Sequence, residues 1–302
     1  MRLDLHQHLW TEGLWEALAR RSAPPRLRRD AQGWLLELLG EPPFRLGPGP
    51  HDPETRGAAV AADGIDVAAV ALSSALGVEH LPADEAREIV AAWDEDADAF
   101  PARLVAWGSV ALADAQPSDI DALLDRGRIG LVLPANALGS PHQVEDLGPL
   151  LARLELRGAP LFVHPGPAAP GSLLPPLTDY VAAMNGAWHA WVLHGRARHP
   201  RLRVLFAALS GLAPLHAERL AARGHAAEAR AALADPRLFY DTSSYGPLAI
   251  DAVVRAAGPD ALVHGSDWPY AEPRLPDAPL RTALLQANPA ALLRGRSGIP
   301  AP

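Results

Sequence analysis

Eight short apolar runs recur along the chain, at Leu3–His8, Val67–Ser73, Leu104–Val110, Gly130–Pro134, Pro160–His164, Arg203–Leu209, Leu238–Thr242 and Ala261–Asp267. Between them lie longer Ala/Leu/Arg/Glu stretches of helical period: Asp84–Ala99, Ser118–Arg126, Val144–Arg157, Leu177–Arg198, Ala213–Ala232 and Pro247–Ala257. Strands that are apolar on both faces must be covered on both faces. Helices between them then force a parallel sheet. Eight such units predict a closed (β/α)8 barrel, a TIM barrel, better than an open doubly wound sheet. No Gly-x-Gly-x-x-Gly follows the first run, which also weighs against a dinucleotide-binding sheet. We expect one domain over residues 1–302, with a last helix at Arg281–Leu293.

The longest connection follows the first strand. It holds two short apolar segments, Leu14–Ala19 and Trp34–Leu39, and a proline-rich run from Glu41 to Pro53. On a barrel this insertion leaves the C-terminal face, where active sites sit. It reads as a lid or as a plain covering loop.

Composition removes several chemistries. Hydrophobic residues are 49% of the chain, enough for a large core, and the formal net charge is -8 with no basic run, which argues against nucleic acid as a partner. There is no cysteine, so thiolate nucleophiles, disulfides and Cys-bound zinc are excluded. All 27 basic residues are arginine, so no lysine forms a Schiff base or bridges a metal pair. No apolar run reaches the roughly 18 residues that span a bilayer. No leader-like segment precedes the first strand, so the expected setting is cytoplasmic, away from membranes.

His6 and His8 stand two apart on the first strand, in Asp4-Leu5-His6-Gln7-His8, and so share a face with Asp4. His164 closes the fifth strand and Asp267 the eighth. Polar residues at the C-terminal ends of barrel strands read as catalytic. Converged on the barrel axis, three imidazoles and one carboxylate would make a mononuclear site for zinc or a similar ion. The plainer reading has His164 and Asp267 as satisfied polar groups at a loop edge.

Four segments resemble one family. Asp4-Leu5-His6-Gln7-His8, the Phe162-Val163-His164-Pro165 turn, Tyr240-Asp241-Thr242-Ser243-Ser244 and Gly265-Ser266-Asp267-Trp268-Pro269 are similar to the amidohydrolase-related ("amidohydrolase 2") family. The resemblance runs from Asp4 to about Tyr270. That family includes aminocarboxymuconate-semialdehyde decarboxylase, resorcylate-type decarboxylases and lactone hydrolases. It implies that His6, His8, His164 and Asp267 ligate one divalent ion, usually zinc or manganese. One departure stands out. The family's Ala-His-x-Gly-Gly turn after strand six corresponds here to Ala207-Ala208-Leu209-Ser210-Gly211, with Ala208 in the place of the His. Neither His216 nor the helix residues His189 and His194 is a convincing replacement.

A bound divalent ion lowers the pKa of its water to about 7 and polarises carbonyls. With Asp267 as both ligand and proton acceptor, hydrolysis of an amide, lactone or ester of a small organic acid is the first expectation. Decarboxylation or another lyase reaction is the second, because the missing His weighs more heavily on it. A non-catalytic metal-binding barrel is the third. The expected partner is a small molecule. Trp10, Arg45, Asn136 and Ser243 are the expected substrate contacts, with Ser73, Trp107 and Arg56 as further candidates. His264 reads as structural. Barrels of this kind often associate, so a homo-oligomer stays open.

Overall fold

A computed structural model describes residues 1–47, 49, 51–272, 274–275 and 278–296. Positions 48 and 50 of the proline-rich run, and Pro273, lie outside the described residues.

The chain opens with β1 (Leu3–Gln7). Three antiparallel strands follow: β2 (Arg26–Asp30), β3 (Gly33–Glu37) and β4 (Phe44–Arg45). The remaining strands are β5 (Val67–Val70), β6 (Leu104–Ala106), β7 (Leu131–Pro134), β8 (Leu161–His164), β9 (Val204–Phe206), β10 (Leu238–Asp241) and β11 (Leu262–Val263). Parallel pairing runs β1-β5-β6 and β7-β8-β9-β10-β11. Backbone hydrogen bonds bridge both seams between these two groups. Gly108 N donates to Gly130 O at 2.9 Å and Val132 N to Gly108 O at 2.8 Å. Leu5 N donates to His264 O at 2.9 Å, Asp267 N to His6 O at 2.8 Å and His8 N to Trp268 O at 2.8 Å. Eight parallel strands thus follow one another around a ring, as the sequence predicts.

The strands are buried on both faces because they are built from Val, Leu, Ala and Phe. Inside the ring, Phe162 and Trp107 are fully buried with ring centroids 5.1 Å apart. The Trp107 indole N–H is satisfied by Leu5 O at 3.0 Å. Burying each such ring contributes about 1.5–3 kcal/mol. Trp107 is therefore core, lying under the site instead of facing the mouth.

Several predicted helices are broken where the sequence carries a breaker. Val144–Arg157 divides into Pro141–Asp146 and Gly148–Leu156. Ala213–Ala232 divides into Ala217–Ala221 and Ala226–Leu233, around Gly224 at φ 99°. The sixth apolar run stops pairing at Phe206, because Ala208 through Leu212 all adopt left-handed φ between 47° and 66°.

The first part of the insertion after β1 forms regular elements, where the sequence offered two short apolar segments. A helix, Glu12–Ala19, leads into the three-stranded sheet. Gly33, at φ 118°, closes the turn between β2 and β3. Alternation then sorts the residues: Arg26 and Arg28 ion-pair with Glu37, while Leu27 and Leu36 are buried opposite. The apolar face of this sheet turns toward the barrel mouth. Asp52 caps the following helix, Pro53–Ala62, accepting from Thr55 N at 2.8 Å. No helix among the described residues is long and apolar enough to cross a membrane.

Candidate metal centre

His6, His8, His164 and Asp267 meet at the C-terminal mouth, with one ligand atom from each lying within 4.8 Å of the others. All three histidines are buried, and Asp267 is nearly so. The imidazoles are aimed by their Nδ1 atoms. His8 Nδ1 donates to Ala71 O and His164 Nδ1 to Pro165 O, each at 2.8 Å. A carbonyl accepts only, so these Nδ1 atoms carry the protons and the Nε2 atoms present lone pairs. His6 Nδ1 lies 2.8 Å from Asp241 Oδ2. Asp241 is itself fully buried and accepts from Ala208 N at 2.9 Å and Ser243 N at 3.0 Å. Phe162 packs edge-on beneath His6, with centroids 5.0 Å apart.

The Nε2 atoms of His6 and His8 are 3.0 Å apart, and those of His8 and His164 are 3.2 Å apart. Asp267 Oδ1 lies 3.4 Å from His6 Nε2 and 3.3 Å from His8 Nε2. Zinc–nitrogen bonds of about 2.0–2.1 Å in a tetrahedron place ligands about 3.3 Å apart. Buried lone pairs facing each other at such distances repel unless a proton or a metal cation stands among them. The donor set therefore fits a divalent ion, and neutral imidazoles with a carboxylate suit zinc or manganese alike.

Electrostatics agree. Burial holds His8 and His164 below their ordinary value, with the neighbouring imidazoles adding to the effect. Burial acts the same way on His6, but Asp241 and Asp267 outweigh it and raise His6 to about 9. Burial opposes ionisation of Asp267, yet the imidazoles hold its carboxyl well below the usual carboxylate range. The group thus combines an ionised carboxylate with two neutral imidazoles, and a third imidazole holds one proton that an ion would displace.

Asp4 does not join this group. The pairing register of β1 shifts between Asp4 and Gln7, and the Asp4 carboxylate accepts from His6 N at 3.1 Å, Gln7 Nε2 at 2.8 Å and Ser266 N at 3.0 Å. It ties β1 to the loop that carries Asp267. Asp267 sits at φ 59° just beyond β11, a left-handed turn that projects its carboxylate to the axis.

A cavity of ≈ 340 Å³ opens above the four residues. Ser73, Ser243, Ser244 and Tyr270 line it, and the inserted sheet roofs it with Leu36, Leu38, Glu41 and Phe44. Ser243 and Ser73, two of the residues expected to face the mouth, thus lie at the cavity wall. Three others lie elsewhere. Trp10 is buried against Trp15, centroids 6.3 Å apart, and stands behind Tyr270. Arg45 pairs with Asp30 at 2.9 Å on the outer side of the inserted sheet. Asn136 turns aside after β7, where its Oδ1 lies 3.1 Å from His80 Nε2. Arg56 is buried too: it donates to His8 O at 2.8 Å and stacks 3.5 Å over Trp268. His216 is exposed, and His189 Nδ1 bonds Asn185 O at 2.8 Å, so neither replaces the absent strand-six imidazole. His194 lies in the π-helical turn Trp191–Gly195 and is likewise absent from the cavity lining. His264 is buried behind the site, 3.9 Å from Asp4.

Ala208 lines the cavity and also contributes a backbone N–H to Asp241. Asp241 is a residue that sequence reasoning did not assign a role. Its sequence signals were its place at the end of a strand and within one of the four family-like segments, but its work on His6 depends on a contact between β1 and β10.

No protein-family model and no curated protein sequence matches the chain. Solved structures do. The apo form of IDCase from Metarhizium anisopliae superposes with a TM-score of 0.78 at 20% identity, covering 97% of each chain. The 5-carboxyvanillate decarboxylase from Sphingomonas paucimobilis gives 0.73 at 18%, covering 97% of this chain and 98% of that one. A 5-carboxyvanillate decarboxylase from Novosphingobium aromaticivorans, complexed with manganese and 4-hydroxy-3-methoxy-5-nitrobenzoic acid, gives 0.70 at 18%, covering 97% and 96%. This chain shares the decarboxylases' barrel. The likeness spans nearly the whole length, and it agrees with the fold that the resemblance of the four segments implied.

Proposed function

We propose that this protein is a metal-dependent lyase that decarboxylates a small, largely apolar organic acid. The observation that carries this reading is the convergence of three imidazole Nε2 atoms and one carboxylate at the floor of an enclosed apolar cavity. The fold shared with 5-carboxyvanillate decarboxylase supports it further, and reverses the order that the sequence alone suggested. Manganese gains weight beside zinc because one such neighbour holds it.

His6, His8, His164 and Asp267 would hold the ion. When bound, it would supply positive charge to a substrate carboxylate and polarise an adjacent oxygen. Asp241 fixes the His6 ring, and the Ala71 and Pro165 carbonyls fix the other two. The inserted sheet excludes water with Leu36, Leu38 and Phe44, and in such surroundings the charge interactions at the floor strengthen. Proton-bearing groups on the walls are the hydroxyls of Tyr245 and Tyr270 and of the lining serines. With Ala208 at the strand-six position, any proton delivered to the product must come from these or from solvent.

Hydrolysis is the second reading, favoured by the ionised Asp267 and its hydrogen bond from Ser244 Oγ at 3.2 Å. The test is to load the protein with manganese or zinc and screen aromatic and heteroaromatic acids for carbon dioxide release, with lactones and amides in parallel. Metal-dependent carbon dioxide release that Asp267→Asn abolishes is the expected result. Turnover of lactones or amides alone would sink the lyase reading.

A further inference from the structure

Besides the four floor residues, the cavity carries a hydrogen-bonded polar pair. Glu41 enters from the segment joining β3 and β4, and Tyr180 from the helix Asp179–Ala190. The Tyr180 hydroxyl donates to Glu41 Oε1. Among the described residues nothing else donates to the Glu41 carboxylate. Leu, Val, Met, Pro and Phe make up much of the surrounding wall, with the hydroxyls of Tyr245, Tyr270 and three serines among them, and among the described residues no arginine lines the cavity. The chain has no lysine.

These facts restrict what the pair can recognise. Tyr180 has committed its proton to Glu41, so it offers only oxygen lone pairs. Glu41 has a free oxygen, Oε2, which also only accepts. The pair therefore presents acceptors to the cavity and no donor. A ligand group placed there must donate a hydrogen bond, because a buried acceptor facing an acceptor is left unpaired. A second anionic group would meet the carboxylate with no cation to offset it. Selection of this kind, by leaving the wrong group unpaired, discriminates more strongly than apolar fit does.

We propose that Glu41 and Tyr180 form a specificity subsite that admits an uncharged hydrogen-bond donor, such as a hydroxyl or amide N–H, and rejects a second carboxylate. The substrate class is thus a monoanionic acid: one carboxylate for the floor and a neutral donor-bearing group under the inserted sheet. This rests on the metal-floor reading above and deepens it.

A matched series tests it by calorimetry on the full-length metal-loaded protein: 3- and 4-carbamoylbenzoate, the corresponding monomethyl esters, and isophthalate and terephthalate. The carbamoyl compound of one pair should bind about tenfold or more tightly than its ester and its dicarboxylate. Glu41→Gln, whose amide can donate, should collapse that preference and let the dicarboxylate bind. Tyr180→Phe should weaken the preference without reversing it. Metal content per chain, measured on each variant, should not change. Ester or dicarboxylate binding as tightly as the amide would overturn the subsite, as would a preference that survives Glu41→Gln or the failure of every benzoate to bind metal-loaded protein. Those results leave the metal centre standing. A chain that takes up no metal would overturn the floor reading, and the subsite with it.

Discussion

Asp241 Oδ2 stands 2.8 Å from His6 Nδ1, and both groups are buried. The carboxylate holds His6 in one orientation and raises the basicity of the nitrogen that faces the site. Partners of this kind typically account for 10–100-fold in metal affinity. Asp241→Asn should therefore weaken zinc or manganese binding by about that factor while the chain stays folded. Competition titration against a coloured chelator measures it. An unchanged dissociation constant would show that His6 needs no such partner.

Metal uptake should release a proton. His6, raised to about 9, carries one at neutral pH and can share it with His8 across 3.0 Å. An ion must displace it. Calorimetry near pH 7.5 in buffers of different ionisation enthalpy should show about one proton released per ion. In chelator, the His6 contribution to stability is complete below its unfolded value of 6.5 and disappears as pH rises through about 9. His8 and His164, held low, act oppositely: their contribution is present above 6.5 and is lost as pH falls. The metal-free melting temperature should peak near 6.5, and a steady climb from pH 6.5 to 9 would contradict the assignment.

Gly265 allows β11 to close against β1. A Cβ there would stand 2.8 Å from His6 Cβ and 2.9 Å from Asp241 Cγ, closer than real Cβ contacts come. Gly265→Ala should cost about 1–3 kcal/mol of stability and weaken the metal at the same time. Denaturant melts with and without metal separate the two effects. A variant as stable and as tightly metallated as wild type would show that the seam has slack.

Arg56 bonds the His8 carbonyl and covers the Trp268 ring, so it clamps both sides of the seam that carries ligands. Arg56→Met keeps much of the apolar stem but leaves that carbonyl unpaired. We expect a loss of about 1–3 kcal/mol, read as a lower denaturant midpoint.

Much of the barrel and all four candidate ligands were legible because they depend on local pattern. Two-residue spacing puts His6 and His8 on one face, and an apolar run ending in a polar residue marks His164 and Asp267. What the sequence did not disclose depends on contacts between distant segments. Asp241 acts across strands, and Glu41 meets Tyr180 only because the inserted sheet folds over the mouth. Arg45 was expected to face the substrate, but β-alternation turns it to Asp30 on the outer side. Trp10 lies two residues after His8, yet the chain turns it under the insertion. The left-handed run from Ala208 to Leu212 was hidden because only Gly211 among its residues signals positive φ.

The inserted sheet is spliced into the chain at one place, between β1 and β5, whereas the four residues at the floor come from β1, β8 and the turn after β11. The floor and the roof of the cavity are thus carried by separate stretches of sequence, while Tyr180, Ser243 and Tyr270 line the walls from outside the insertion. Replacing residues 26–45 as a block would change the roof, Glu41 included, and leave the four floor residues as they are. On the reading proposed above, one exchanged cassette would retune half of the recognising pair and none of the metal ligands.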